Sequence, residues 1–345
     1  MNYCRKYFEE LETSAKNLDL SEIKGKSILI TGGSGLILSS LVDILCWANV
    51  NLDTNINIYL AARTENEISG RFTEYYGNTW LKYVNYDALK PVDFDFRTDF
   101  IIHGASNAHP SAYSTEPVET LLANIIGIKE LLDYAHKCGT KRVLYISSSE
   151  VYGRKDEARP YLENDYGFVD ILNPRACYPS GKRASETLCS AYSAEYGVET
   201  VIVRPGHVYG PTVTEYDSRA TAQFMRDVLA DKDIVMKSAG TQLRSYCYSA
   251  DCATAILTVL LKGKTGEAYN ISNRDSVVSI RQMAEKIAET ADKKIIFESA
   301  SDAEQKSYNM MDNSSLDAEK LESLGWNAVY DCENGVRQMY EIMKG

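Results

Sequence analysis

The sequence predicts an α/β fold: a doubly wound parallel sheet followed by a smaller α/β lobe. Three observations predict it. Short apolar runs alternate with helix-length segments from Lys26 to about residue 205. The first of these runs ends in a glycine cluster where a helical pattern begins. Beyond Pro205 the alternation loosens into helical stretches separated by short polar turns. The expected division is a helical extension over residues 1–24, a sheet domain over 25–205 and a second lobe over 206–345.

In residues 1–24, Tyr3, Tyr7, Phe8, Leu11 and Leu18 fall on one face, as in a packing arm or a dimer contact. Lys26–Thr31 (KSILIT) is the first strand, with a helix over 36–49. Asn55–Ala62 is the second strand, and a further short apolar strand precedes Asp87. Phe100–His103 is next, followed by a long helix from about 115 to 137. Strand Arg142–Ser147, a helix from about 177 to 196 and strand Glu199–Val203 complete the series. Strands separated by helices pair in parallel through right-handed crossovers, which places helices on both faces. Segments near 220–230, 250–262 and 279–291 read as helices of a lobe that closes over a substrate.

With 345 residues, the chain is long enough for two lobes around a cleft, and 44% apolar residues supply their cores. The net charge of -11 repels a phosphate backbone, so nucleic acid is not an expected partner. A small anionic ligand is still compatible, because backbone amides and a few arginines act locally. Eight cysteines without a Cys-x-x-Cys pair, beside only four histidines, predict no metal site. Scattered single cysteines fit a reducing cytoplasm. The N-terminal residues lack the apolar run of a signal peptide, and no stretch reaches the ~20 apolar residues that span a bilayer.

The turn after the first strand reads Gly32-Gly33-Ser34-Gly35-Leu36-Ile37. Glycines here let backbone amides approach a pyrophosphate, and the following helix start adds partial positive charge. A plain turn would look similar, but the strand before and the helix after favour a Rossmann dinucleotide site. Leu38 stands where a third glycine is expected. The second strand ends Ala61-Ala62-Arg63, without the acidic residue that accepts from an adenosine ribose. Arg63 could pair with a 2′-phosphate and so admit NADP, or simply be a solvated arginine at a strand end. Asp87 is placed near the adenine.

Tyr178-Pro179-Ser180-Gly181-Lys182 sets a tyrosine and a lysine four apart on one helix face. A neighbouring ammonium stabilises a phenolate, so the tyrosine pKa is expected to fall. Such a pair can take a proton from a carbinol while hydride leaves for a nicotinamide, and the lysine can hold the nicotinamide ribose. Upstream, Ser147-Ser148-Ser149-Glu150 follows an apolar strand, at the strand end where open parallel sheets bind ligands. Ser148 can hydrogen-bond the reacting oxygen, and Glu150 is a candidate acid or base. A serine-capped polar turn would also read this way. The succession of strand end, hydroxyl cluster and Tyr–Lys helix favours chemistry.

With these motifs the chain resembles the extended short-chain dehydrogenase/reductase family, the nucleotide-sugar epimerases and dehydratases, from about Lys26 to Trp326. The resemblance rests on the glycine loop, His103-Gly104-Ala105-Ser106, Asn124, Ser148 through Gly153, Tyr178 with Lys182, Arg204 through Pro211, Arg244-Ser245-Tyr246 and Leu324-Gly325-Trp326. Segments 103–127, 147–153 and 173–189 look most like UDP-glucuronate decarboxylases. The resemblance implies NAD as cofactor, a nucleotide-sugar substrate and oxidation at sugar C4. Decarboxylation, epimerisation or dehydration would follow, with the hydride then returned. It puts Ala105, Ser106 and Asn124 at the cofactor, and Ser148, Ser149, Glu150, Tyr178 and Lys182 at the chemistry. It puts Ser106, Arg175, His207 and Arg244 at the substrate, Arg244 on its diphosphate and Arg175 facing either substrate or a partner subunit. It also implies a homodimer through the helices near 115–137 and 177–196. Two departures stand out. Residues 309–316 lack the arginine that such decarboxylases carry before the final Leu-Gly-Trp, and His207 replaces the usual asparagine.

Three readings follow: a redox-neutral nucleotide-sugar enzyme, an NADPH-dependent reductase of a nucleotide-linked keto sugar if Arg63 selects NADP, or a dinucleotide-binding protein without catalysis. A pure binder has no use for a Ser–Tyr–Lys set, which favours an enzyme.

Overall fold

Seven parallel strands form the central sheet of the computed structural model, which describes residues 3–108, 110–155, 157–299 and 311–345. Six come in sequence order: β1 (Ser27–Thr31), β2 (Asn57–Ala62), β3 (Leu81–Asn85), β4 (Phe100–His103), β5 (Arg142–Ile146) and β6 (Thr200–Pro205). The seventh is Ala268–Ile271, and the spatial order is Ala268–Ile271, β6, β5, β4, β1, β2, β3. Strands β4 and β6 are buried along their whole length, as expected where helices cover both faces of a sheet. The order reverses between β1 and β4, whose registers run Ile28 with Phe100 to Thr31 with His103. Loops leaving two such neighbours diverge and open a crevice at the carboxyl edge.

One face of the sheet is covered by helices Leu36–Leu52 and Ser249–Lys262, whose residues join Ile28, Ile30 and Ile102 in the largest core cluster. The other face carries the packed pair Pro117–Cys138 and Cys177–Tyr196, with Ile128, Leu131, Leu132 and Cys189 buried against Leu29, Ile101 and Val143. Pro117 opens the first of these helices, where its missing N–H costs nothing, and Gly139 at φ 70° ends it.

The arm resolves to packing within the chain. Its helix covers Arg5–Lys16, shorter than the 24 residues expected. Tyr7 and Leu11 are fully buried. Tyr3 and Tyr7 donate to the two oxygens of the buried Asp43 at 2.7 and 2.6 Å, and Arg71 pairs with the same carboxylate at 2.5 Å. Further along, Glu10 accepts from Tyr248 at 2.8 Å and Gln338 at 3.2 Å. The arm therefore ties the sheet domain to the last helix, Cys332–Lys344.

The second lobe holds the expected helices, Ala220–Leu229 and Ile280–Thr290, and strands that the helical reading did not anticipate. Leu243–Tyr248 pairs with His207–Tyr209, Val277–Ser279 and Asn313–Ser314. Ile234–Met236 pairs with Ile295–Phe297. The chain after residue 206 does not stay in this lobe: Ser249–Lys262 and Ala268–Ile271 return to the large sheet.

Candidate active site

A continuous cleft of about 1570 Å³ runs along the carboxyl edge of the sheet and under the second lobe. Pockets for one drug-sized ligand are commonly about 300–1,000 Å³, so this cleft has room for two molecules end to end.

At one end the chain turns out of β1 at Gly32, whose φ is +73°. A Cβ there would lie 2.8 Å from Ala105 N and 2.9 Å from Gly104 O, so only glycine lets the two loops touch. Thr31 fixes that contact. Its hydroxyl accepts from Gly104 N at 3.2 Å and Ala105 N at 3.1 Å and meets His103 Nδ1 at 2.7 Å. Burial holds the His103 imidazole at about 3, so it is neutral. Helix Leu36–Leu52 starts at Gly35, which offers no side-chain cap, and Gly32, Ser34, Gly35, Leu36 and Ile37 line the cleft. Uncapped first-turn N–H groups facing a cleft suit a pyrophosphate. Leu38 does not obstruct this fit. Its side chain fills the space that a Cβ on Gly104 would need, at 2.6 Å, so the expected third glycine is replaced by one on the neighbouring loop.

Arg63 and Asp87 line the same end, beside Ala61, Ala62, Tyr86 and Ala88. An acidic side chain is present there after all, supplied by Glu67 from the helix Glu65–Arg71 that follows β2. Two expected cofactor residues stand behind the wall. Gly33 is outside the lining and packs toward Leu60, which a Cβ would meet at 3.2 Å. Asn124 is buried within the Pro117–Cys138 helix, where its Oδ1 accepts from Ser106 at 3.1 Å and Tyr145 at 3.4 Å. Ala105 and Ser106 do line the cleft, and Asn124 holds Ser106 in place.

Midway, Ser148, Ser149, Glu150, Arg175, Tyr178 and Lys182 share one wall. Ser148 caps the short helix Ser149–Tyr152 by accepting from Glu150 N at 3.2 Å, which aims the serine cluster off the end of β5. Tyr178 and Lys182 stand one turn apart at the start of the Cys177–Tyr196 helix, both nearly fully buried. The Ser148 and Tyr113 hydroxyls both favour the ionised form of Tyr178. The expected lowering of the tyrosine by the lysine is not found. Burial, then the Glu150 charge, push the Tyr178 phenol up to about 12, while the Ser148 and Tyr113 hydroxyls and the Arg219 charge act the other way. Lys182 points its Nζ at Ile146 O, 2.7 Å away, and burial pulls it down to about 7. Its ammonium is 5.7 Å from the centre of the Tyr178 ring, over the face of that ring.

Arg175 faces its own chain's site. It forms a two-point ion pair with Glu150, at 2.8 and 3.1 Å, and lies 5.3 Å over the Tyr113 ring. Toward the second lobe, His207 and Arg244 line the cleft with Tyr246. Arg244 donates to Leu243 O and Met311 O and pairs with no carboxylate among the described residues. His207 is held neutral at about 3 by burial and by the Arg244 and Arg219 charges, and its buried Nδ1 has no partner among the described residues.

Two lining residues escaped the sequence reading. Tyr113 lies inside the singled-out segment 103–127, but only its stacking on Tyr178 shows its place. Arg219 comes from the turn before Ala220–Leu229 and pairs with Asp217; its charge is felt at both Tyr178 and His207. No local motif marked it.

The sequence profile of the NAD dependent epimerase/dehydratase family matches residues 28–272. Among curated relatives, UDP-glucuronic acid decarboxylase 1 of Xenopus tropicalis is 30% identical over 321 residues, covering 92% of this chain and 72% of the relative. UDP-glucuronic acid decarboxylase 6 of Arabidopsis thaliana is 32% identical over 262 residues, covering 76% and 73%. Solved structures with the same fold include a dTDP-glucose 4,6-dehydratase of Streptomyces venezuelae with NAD bound (TM-score 0.77, 22% identity, 92% of this chain and 96% of that one). A UDP-glucose 4-epimerase of Thermotoga maritima with UDP-glucose superposes with a TM-score of 0.76 at 23% identity, over 92% and 98% of the two chains. Profile, relatives and cleft agree: the chain belongs to the NAD dependent epimerase/dehydratase family, enzymes that bind NAD and act on nucleotide sugars.

Proposed function

We propose that the chain oxidises the C4 carbinol of a nucleotide-linked sugar, lets a neighbouring centre rearrange, and returns the hydride within the same cleft. The observation that carries this is the convergence of Ser148, Tyr178 and Lys182 on one wall, between a glycine-loop end and an arginine end. NAD, when bound, supplies the hydride acceptor and afterwards the donor. The chain's residues handle the proton and the position. Tyr178 takes the hydroxyl proton of the carbinol, and Ser148 holds the same oxygen from the other side. Lys182 spends one of its three donors on Ile146 O and keeps two for ribose hydroxyls. Gly35 and the first turn of Leu36–Leu52 take the pyrophosphate, and Arg244 takes the diphosphate of the sugar nucleotide. The relatives named as decarboxylases and the solved epimerase and dehydratase fit this shared first step.

A second reading, a reductase consuming NADPH, is favoured by one feature: Arg63 at the adenosine end. Glu67 at that end favours unphosphorylated NAD. Incubation with UDP-, dTDP-, GDP- and CDP-sugars, followed by mass spectrometry, separates the two. Turnover without added cofactor supports the first reading; stoichiometric NADPH consumption supports the second.

The helices Pro117–Cys138 and Cys177–Tyr196 would pair with those of a second copy, since Val118 and Leu122 stay exposed on the first of them. All eight cysteines are free, as in a reducing cytoplasm, and no helix among the described residues is long and apolar enough to cross a membrane.

A further inference from the structure

We propose that the sugar on which this chain acts is uncharged, a nucleotide-linked hexose with a neutral C5 substituent and not a uronic acid. The inference rests on the nucleotide-sugar reading above and follows from how the cleft distributes its cations.

Among the described lining residues there are six cationic side chains (Arg63, Arg175, Lys182, Arg219, Lys237, Arg244) against seven carboxylates. A dinucleotide and a nucleotide diphosphate already bring several negative charges into that space. A uronate adds one more at a defined place. C5 adjoins C4, so its carboxylate must come to rest within a few ångströms of the oxygen that Tyr178 and Ser148 hold.

The guanidinium groups near that point are Arg175 and Arg219. Both are taken. Arg175 gives two hydrogen bonds to Glu150, at 2.8 and 3.1 Å, and Arg219 pairs with Asp217 through its Nε and Nη2. A uronate on Arg175 would have to share one guanidinium with Glu150, setting two carboxylates against a single positive charge beside the phenol that must become negative. Lys182 gives one donor to Ile146 O at 2.7 Å and its other two to the ribose, and Lys237 has a partner of its own. Arg63 belongs to the adenosine end, where it lies beside Ala61 and Ala62. Arg244 pairs with no carboxylate among the described residues and is the one that matches a diphosphate. His207 adds no charge, because burial, helped by the Arg244 and Arg219 charges, keeps it neutral. Residues 309–316 hold neither arginine nor lysine. Among the described residues, the chain thus shares its scaffold with proteins named for a sugar acid while offering no unspent cation where the acid would sit.

A neutral C5 substituent meets no such conflict. The chemistry left after C4 oxidation is then return of hydride to the opposite face, or loss of water across C5 and C6, with no carbon dioxide released.

The test is calorimetric titration of the NAD-loaded protein with UDP-glucose and UDP-galactose against UDP-glucuronate and UDP-galacturonate. Nicotinamide absorbance and product mass are read in parallel. The hexoses are expected to bind at least about tenfold tighter than the acids and to be the ones that reduce the nicotinamide. Glu150→Gln should free Arg175 and narrow that ratio toward one. Tighter binding of a uronate with release of carbon dioxide overturns the proposal and leaves the nucleotide-sugar reading standing. An unchanged ratio in Glu150→Gln overturns the ion pair as its cause. Failure of all four sugars, and of dTDP-glucose, to reduce the nicotinamide overturns both.

Discussion

The phenol rings of Tyr113 and Tyr178 stack with centroids 4.6 Å apart and 19° between their planes. The Tyr113 hydroxyl favours the ionised form of Tyr178, while burial and Glu150 oppose it. Tyr113→Phe removes that support and keeps the stack. The acidic limb of the kcat–pH profile should move to higher pH, and kcat at neutral pH should fall by about threefold to tenfold, the worth of one hydrogen bond. A profile that coincides with wild type removes Tyr113 from the proton path.

The Arg175–Glu150 pair makes a related prediction. Its side chains are 27% and 21% exposed, too wet for a fully buried pair and too dry for a surface one. Arg175→Met should cost on the order of 1–2 kcal/mol of stability. It should also leave Glu150 unbalanced, raising the Tyr178 pKa and moving the same acidic limb upward. Arg175→Lys keeps the charge, so it should recover most of the pH shift. Denaturant melts and pH–rate profiles of the two variants decide.

Gly32 has φ +73° and backbone within 2.8 Å of where a Cβ would stand. Gly32→Ala should destabilise the fold by about 1–3 kcal/mol and separate the loops after β1 and β4. Cofactor affinity should fall more than affinity for the sugar nucleotide, as read by titration with each ligand separately. Equal loss for both would mean that the loop does not hold the dinucleotide.

The arm predicts a pH-dependent stability. Burial raises Glu10 from 4.5 to about 8 and Asp251 from 3.8 to about 7. A carboxyl whose folded pKa is raised stabilises fully below its unfolded pKa, and loses that contribution as pH climbs through the folded value. Stability should therefore decline from about pH 4 toward pH 8, by an amount on the order of 5–10 kcal/mol for the two groups together. Glu10→Gln should flatten part of the decline. Melting temperatures across that window are the measurement, and a slope identical in the variant would remove Glu10 as a source.

Most of the sheet was readable because its strands carry continuous apolar runs and are spaced by helices, as residues 100–102 and 143–146 show. The second lobe was not. Its pieces, such as Ile234–Met236 and Val277–Ser279, are three residues long, below the length at which alternation becomes visible. Their partners lie far along the chain, as do those of Ala268–Ile271, paired with β6. In the site, Ser148, Tyr178 and Lys182 carried a local pattern, whereas Tyr113 and Arg219 act through contacts from distant turns. The expected fall in the tyrosine pKa does not hold, because spacing alone does not say where an ammonium points. Lys182 turns to Ile146 O, and burial with the Glu150 charge raises the phenol.

The most direct test is single-turnover reduction of bound NAD on mixing with a nucleotide hexose, in wild type and in Tyr178→Phe. Tyr178→Phe should bind NAD with near-native affinity and reduce it about 10²- to 10⁴-fold more slowly. Reduction at the wild-type rate in that variant would contradict the assignment of Tyr178 as the group that takes the sugar's proton.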